Sequence, residues 1–187
     1  MMRRHWQLAT VLTTIVVVPL GSALAQHEEH AMSTPATSTG VAGTTGALSP
    51  SVAADIARLR AATAPFRSLD SAVAAGYERT VSQCISYPKV GGMGYHHQNA
   101  ALLDGKLEVE RPEILVYRRT PSGGDELTGV EYEVPYAVAP RDSAPPTIMG
   151  QPLKPFDAIK MWYLHAWPWL ENPSGMFADW NPRVSCD

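Results

Sequence analysis

Apolar residues recur at helical spacing in the first patterned stretch of the chain. Four of them share one face of a helix that begins near position 50: Val52, Ile56, Leu59 and Ala62. Ser49 precedes this run as an N-cap, and Pro50 occupies the first helical position, where its missing N–H costs nothing. Pro65 cannot continue a helix, so the pattern predicts one helix that ends just before it.

A second, shorter helical pattern follows directly. Ser68 is placed to cap it, and Leu69, Ala72 and Val73 provide its apolar side. Gly76 fits the left-handed position that commonly ends a helix. The sequence therefore predicts two short helices before position 77.

The pattern then changes to the two-residue alternation of strands. Segments 113–118 and 127–134 are predicted strands, and the turn-forming run 120–125 separates them. In the second segment the apolar side chains Val130, Tyr132 and Val134 alternate with two glutamates. Residues 160–167 predict a third strand, and its odd-numbered positions share one side: Met161, Tyr163, His165 and Trp167. Residues 91–94 are predicted to form a glycine loop, and the Pro-rich stretch 135–155 a long irregular connection.

These elements define the expected fold class. Helices followed by antiparallel strands predict an α+β protein, with two short N-terminal helices packed on a small antiparallel sheet and long ordered loops. The sequence contains no internal repeat, so we expect residues 49–187 to form a single domain.

The first 48 residues have a different character. Arg3 and Arg4 precede an apolar run, and the small residues at 23–25 resemble a secretory cleavage site, so residues 1–25 are a predicted signal peptide. Residues 26–48 are polar and small without apolar periodicity, which predicts a disordered tether. We therefore expect a periplasmic or secreted product, exported by either the general or the twin-arginine route.

Charge excludes some partners. The chain has 15 basic and 18 acidic side chains, and loss of Arg3 and Arg4 with the leader would move the net charge from −3 to near −5. Basic residues do not cluster, which argues against nucleic acid as a partner. Beyond the leader no apolar run is long enough to predict a transmembrane anchor. A small ligand remains open as a partner, as does another protein.

The chain has two cysteines, Cys84 and Cys186, and both follow the predicted leader. An even pair in an oxidising compartment predicts a disulfide. Closing a loop of about 100 residues is worth on the order of 4.7 kcal/mol in the chain-entropy model. The bond would tie the end of the chain to the start of the folded region.

Three histidines stand out beyond the predicted tether: His96, His97 and His165. The first two follow the glycines at 91–94, and His165 lies in a tryptophan-rich segment. Imidazole nitrogens favour zinc or copper, so we consider a site for one such ion. The alternative is a buried structural His165 with His96 and His97 exposed in a loop. Short fixed metal-binding motifs are absent from the sequence, and no nucleophile elbow or phosphate-binding loop is present.

Glu131 is a fourth candidate ligand. It alternates onto the same strand face as Glu133, and two acidic residues on one face are typical of a solvent-facing sheet. The functional alternative has Glu131 facing inward as a ligand or general base near His97. A buried carboxylate needs a partner, which Arg111, Arg118 or a metal ion would supply.

Four tryptophans lie within a short C-terminal stretch: Trp162, Trp167, Trp169 and Trp180. Indole rings are large apolar surfaces that either complete a core or stack on a flat ligand. The alternative function is thus a non-enzymatic module that binds an apolar or carbohydrate ligand in a Trp-rich pocket. A purely structural envelope protein is a further alternative, and the sequence leaves open whether the chain is an enzyme.

Several blocks together carry a resemblance. These are Gly-Gly-Met-Gly-Tyr-His at 91–96, Val-Glu-Tyr at 130–132, and Leu-His-x-Trp-x-Trp at 164–169 followed by Asn-Pro-x-Gly-x-Phe and Asn-Pro-x-Val-x-Cys. Over roughly residues 55–187 the chain resembles a group of exported bacterial proteins that share these blocks behind a signal sequence. The resemblance implies bacterial origin and export, and it implies no catalytic residue or cofactor.

Overall fold

The computed structural model describes residues 47–80 and 83–186, and all structural statements refer to these ranges. The predicted signal peptide at 1–25 lies outside them, as does nearly all of the predicted tether at 26–48. Within the described part, helices and antiparallel strands are mixed, in agreement with the predicted α+β class.

Two helices form where the apolar spacing predicts them. Helix α1 (Pro50–Thr63) begins after Ser49, whose side chain accepts a hydrogen bond from the Val52 amide. Helix α2 (Leu69–Ala74) begins after Ser68, which caps it in the same way. Gly76 follows with a φ of 93°, so the predicted left-handed helix end is confirmed.

In the described ranges, nine strands follow the helices. They are β1 (Glu78–Arg79), β2 (Ile85–Tyr87), β3 (Gly91–Gln98), β4 (Ile114–Arg119), β5 (Asp125–Pro135), β6 (Thr147–Ile148), β7 (Gln151–Pro152), β8 (Lys154–Phe156) and β9 (Met161–Ala166). Seven of them form an antiparallel sheet in the order β1-β3-β4-β5-β9-β8, and β2 pairs with β3. Strands β6 and β7 form a separate small hairpin.

The structure corrects two predictions about this region. The predicted glycine loop at 91–94 is the first half of β3. Glycines occupy this strand because a Cβ at Gly91 or Gly92 would meet the backbone of the C-terminal segment. The Pro-rich stretch 135–155 is less irregular than predicted. It contains the β6–β7 hairpin and the start of β8, a short edge strand in which Pro155 is tolerated.

The central strands have two distinct faces. Val130, Tyr132 and Val134 of β5 face the helices and share an apolar core with Ile56 and Leu59 of α1. The intervening residues of β5 point to the opposite face, as the alternation predicts.

This second face is not exposed to solvent. Glu131 and Glu133 are both buried, so the expectation of a solvent-facing pair of carboxylates is wrong. The chain after β9 lies against this face. There Trp167 packs over Gly129, and Asn181 forms an isolated β-bridge with Gly92.

The end of the chain is covalently fixed. Cys84 and Cys186 form the predicted disulfide, with a sequence separation of 102 residues. The adjacent Val184 is buried against Gly92 of β3. The disulfide therefore ties the C-terminal segment 167–186 to the strands that lie beside β3.

Candidate metal centre

The centre of the second face is built around Glu131. This residue lies directly opposite His165 in the register between β5 and β9. Side chains of directly opposed residues in an antiparallel pair lie on the same side of the sheet, which brings the carboxylate and the imidazole together.

His96 reaches the same place from β3. Strand β4 lies between β3 and β5, and the register pairs His96 with Val116, and Val116 with Gly129. Because Val116 is modest in size and Gly129 has no side chain, neither places a large side chain between His96 and the β5–β9 pair. The His96 and His165 rings meet edge to face, with centroids 5.8 Å apart.

Three ligand atoms form a nearly equilateral triangle. Nε2 of His96 lies 3.4 Å from Oε2 of Glu131, and Nε2 of His165 lies 3.7 Å from the same oxygen. The two Nε2 atoms are 3.5 Å apart. Ligands about 2.1 Å from a tetrahedral ion are separated by about 3.4 Å, so one ion fits between these atoms. Among the described residues, this is the one group of three or more ligand side chains with the spacing of a metal site.

The triangle is closed to solvent. His96 is 4% exposed, Glu131 5% and His165 1%. Burying a carboxylate costs several kcal/mol or more, in order of magnitude, unless a cation or hydrogen bonds offset the charge. The arginines considered as partners for Glu131 pair elsewhere, since Arg111 binds Glu108 and Arg118 binds Glu126.

Burial dominates the electrostatics of the carboxyl group. It raises the pKa of Glu131 well above the ordinary value, and the nearby charges of Glu133 and Asp179 raise it further. Burial also raises the pKa of Glu133 to about 7, although the hydrogen bond from Gln98 (Nε2 to Oε2, 2.6 Å) acts in the opposite direction. Burial therefore disfavours the ionised form of Glu131, and a cation bound beside it would offset the cost of the negative charge.

Aromatic side chains fix the orientation of His165. The Trp167 ring is stacked on it at an interplanar angle of 12°, and Tyr163 meets its edge with centroids 5.8 Å apart. A Cβ at Gly129 would lie 3.1 Å from Cε3 of Trp167, so glycine makes room for the indole. These contacts provide the apolar surroundings that metal sites commonly have.

His97 does not join the group. Adjacent strand residues point to opposite faces, and the His97 ring packs against Tyr117 with centroids 5.1 Å apart, on the side of the helices. Burial lowers the pKa of His97, and Arg79 lowers it further. Of the two neighbouring histidines considered as ligands, the structure brings only His96 into the group that could hold an ion.

The four tryptophans lie in separate environments. Trp162 packs with Tyr136 and donates its Nε1–H to the Ala139 carbonyl. Trp167 lies on the opposite face of the sheet, where it stacks on His165. Trp169 donates to Thr63 of α1. Trp180 lies beside Tyr87, with centroids 6.0 Å apart. These contacts distribute the rings over the molecule and do not bring all four around one ligand.

A concave surface lies elsewhere, next to the disulfide. It is an open cavity of about 510 Å³ whose lining includes Tyr87, Lys89, Pro182 and Val184. Its walls include neither a member of the buried triangle nor any of the four tryptophans. It is therefore separate from the candidate metal centre.

Sequence reasoning missed part of the surroundings. Glu133 and Gln98 could have been found from strand alternation, because each lies two positions from a member of the triangle. Asp179 gives no such signal, since it lies outside every strand and reaches the site only through the path of the C-terminal segment.

Comparisons of the chain with models of protein families, with curated proteins and with solved structures gave no match. None of the helices in the described ranges has the length and apolar character needed to cross a membrane.

Proposed function

We propose that this protein binds one divalent transition-metal ion through Nε2 of His96, Oε2 of Glu131 and Nε2 of His165. The observation that carries the proposal is the buried triangle with sides of 3.4, 3.5 and 3.7 Å. Two imidazoles and a carboxylate are a common donor set for zinc in proteins.

The donor atoms favour zinc over the other candidates. Two nitrogens and one oxygen, with spacing close to tetrahedral, suit Zn²⁺, and copper(II) is the runner-up because it also prefers imidazole. Copper(I) prefers soft sulfur ligands, which the triangle lacks.

The burial of the ligands supports retention of the ion. Three protein ligands leave one tetrahedral position for water or a fourth ligand, and such a position is the minimum for metal-assisted chemistry. With each ligand 5% exposed or less, we assign metal binding as the function and make any hydrolytic or oxidative activity secondary to it.

The ion would also connect distant parts of the chain. Its ligands come from β3, β5 and β9, and β4 lies between the first two. A ligand that binds only the folded state stabilises it by about 2.7 kcal/mol when its concentration is 100 times Kd. Metal binding would therefore hold the central sheet together as well as neutralise Glu131.

We further propose that the protein acts outside the cytoplasm. The Cys84–Cys186 disulfide supports an oxidising compartment, and so do the signal-like start and the resemblance to exported bacterial proteins. Fractionation of the native host, with N-terminal sequencing of the mature protein, tests this location. Recovery of the uncleaved chain in the cytoplasm would contradict it.

A matched pair of variants tests metal binding. His96 and His97 are neighbours on β3 and are each 4% exposed, but only His96 belongs to the triangle. Protein purified without a histidine tag, stripped by a chelator and titrated with Zn²⁺ by calorimetry should bind one equivalent. We expect His96→Ala to weaken binding at least 100-fold and His97→Ala to leave the affinity within about threefold.

The same titrations can overturn the proposal. Wild-type protein that binds no zinc or copper above the level of a nonspecific surface would refute it, and so would equal loss of affinity in the two variants. Circular dichroism of each variant establishes that it is folded before binding is compared.

A further inference from the structure

The C-terminal segment brings one more carboxylate to the centre. Asp179 belongs to no strand, yet its Oδ1 lies 4.0 Å from Nδ1 of His165. Nδ1 is the ring nitrogen that does not belong to the triangle. Asp179 thus faces the outer side of the ring whose Nε2 faces the proposed ion.

We propose that Asp179 is the positioning carboxylate of the metal centre, accepting the Nδ1–H of His165 and thereby directing Nε2 to the metal. The inference rests on the proposed metal site. Histidines that bind metals almost always donate their second N–H to a carboxylate, a carbonyl or water, and this contact fixes the tautomer and makes the ring a stronger ligand.

The present separation is longer than a hydrogen bond. An N–H···O bond joins heavy atoms about 2.9 Å apart, so the carboxylate needs to approach by about 1 Å. The His165 ring already has its plane defined by Trp167 and Tyr163. Metal binding at Nε2 would favour this approach of the carboxylate, because a metallated ring carries its proton on Nδ1.

The surroundings of Asp179 hold it near this position. Its Oδ1 accepts a hydrogen bond from Nζ of Lys154 at 2.6 Å, and Oδ2 lies 3.4 Å from the Tyr163 hydroxyl. On either side of Asp179, Ala178 accepts the Trp167 indole N–H and Asn181 bridges to Gly92. The backbone that carries Asp179 is thus anchored to both sides of the centre.

Another interpretation gives Asp179 only a surface ion pair with Lys154. The two interpretations predict different consequences for Lys154→Met, which removes the ion pair but keeps the carboxylate. If the ion pair is the role of Asp179, Lys154→Met and Asp179→Ala should behave alike. If Asp179 positions His165, only Asp179→Ala should weaken the metal centre.

The experiment measures zinc affinity by competition with a chromophoric chelator, and in parallel records the His165 ring by ¹H–¹⁵N NMR. We expect Asp179→Ala to raise the zinc Kd by about 10–100-fold. We expect Asp179→Asn, which keeps an acceptor oxygen, to recover part of this loss. Lys154→Met should bind zinc at least as tightly as wild type, and wild-type protein should show a slowly exchanging His165 Nδ1–H that Asp179→Ala loses.

The outcomes separate the two proposals. Wild-type protein that binds no zinc refutes the metal site, and the role of Asp179 with it. Wild-type protein that binds zinc, with an Asp179→Ala variant of unchanged Kd and unchanged His165 Nδ1–H signal, refutes the positioning role alone. Equal losses in Asp179→Ala and Lys154→Met refute it in favour of the ion pair. Should Asp179→Ala fail to fold, the zinc Kd of Asp179→Asn, compared with that of Lys154→Met, distinguishes the positioning role from the ion pair.

Discussion

The two faces of the central sheet are both buried, but they are built from different kinds of side chain. Toward the helices, β5 presents Val130, Tyr132 and Val134 to an apolar core. Toward the C-terminal segment the same strand presents Glu131 and Glu133. Burial stabilises the first set directly, whereas the second set loses hydration and needs a compensating partner. The second face thus lacks the direct stabilisation that the first face has, and the proposed ion would supply the partner that its buried carboxylates need.

The largest expected effect contrasts one residue from each face. Leu59 is fully buried in the helix-side core, so Leu59→Ala should lower the free energy of unfolding by about 4 kcal/mol with or without zinc. Glu131→Gln should leave metal-free protein as stable as wild type or more stable at pH 8, because it removes a buried ionisable group. It should also abolish the stabilisation by zinc. Urea unfolding with and without zinc measures both effects.

The difference between the two faces would be contradicted if Glu131→Gln destabilised the metal-free protein as much as Leu59→Ala does. Glu131 would then support the fold in the same way as an apolar core residue, and the second face would need no cation.

The next effect concerns the segment that covers the second face. Replacing Cys84 and Cys186 by serine releases the end of the chain, and we expect a loss of about 3 kcal/mol in the free energy of unfolding. Zinc affinity should fall as well, because the released segment carries Asp179. Thermal unfolding and zinc titration of the double variant give the two quantities. Unchanged affinity in a folded double variant would show that the disulfide and the metal centre are independent.

The smallest of these effects is a pH dependence that does not involve the metal ligands. Burial raises the pKa of Glu113 from 4.5 to about 8, and its Oε2 accepts the Glu133 backbone N–H at 3.1 Å. Because the folded protein binds this proton more tightly, the stabilising contribution is complete below pH 4.5 and is lost as pH rises through 8. The loss between pH 6 and 8 should be about 2 kcal/mol in order of magnitude.

Glu113→Gln isolates this contribution, since the neutral amide does not titrate. The free energy of unfolding of the metal-free protein, measured with urea, should fall less steeply from pH 6 to 8 in this variant than in wild type. If the free energy of unfolding has the same pH dependence in the two proteins, Glu113 is not the group responsible for it.

Local chemistry in the sequence predicted much of the framework. The caps Ser49 and Ser68, the left-handed Gly76 and the alternation in β5 each follow from the neighbours of a residue along the chain. The cysteine pair was predictable because only two cysteines are present.

The cover over the second face could not be predicted in the same way. Segment 167–186 has almost no regular secondary structure, and its placement depends on tertiary contacts such as the close approach of Asn181 to Gly91 and Gly92. Without that cover, Glu131 and Glu133 have the pattern of a solvent-facing strand. His96, His165 and Glu131 could be proposed as ligands from the sequence, because their residue types and neighbours mark them. Asp179 could not, because its place beside His165 depends on the path of segment 167–186.

The central claim is that His96, Glu131 and His165 bind one ion, and X-ray absorption at the zinc edge tests it most directly. Protein loaded with one equivalent of Zn²⁺ should show only nitrogen and oxygen ligands at about 2.0–2.1 Å, with the scattering of two imidazole rings. His165→Ala should reduce this to one ring or to none. A spectrum of zinc surrounded by water or sulfur, or one that His165→Ala leaves unchanged, would contradict the account.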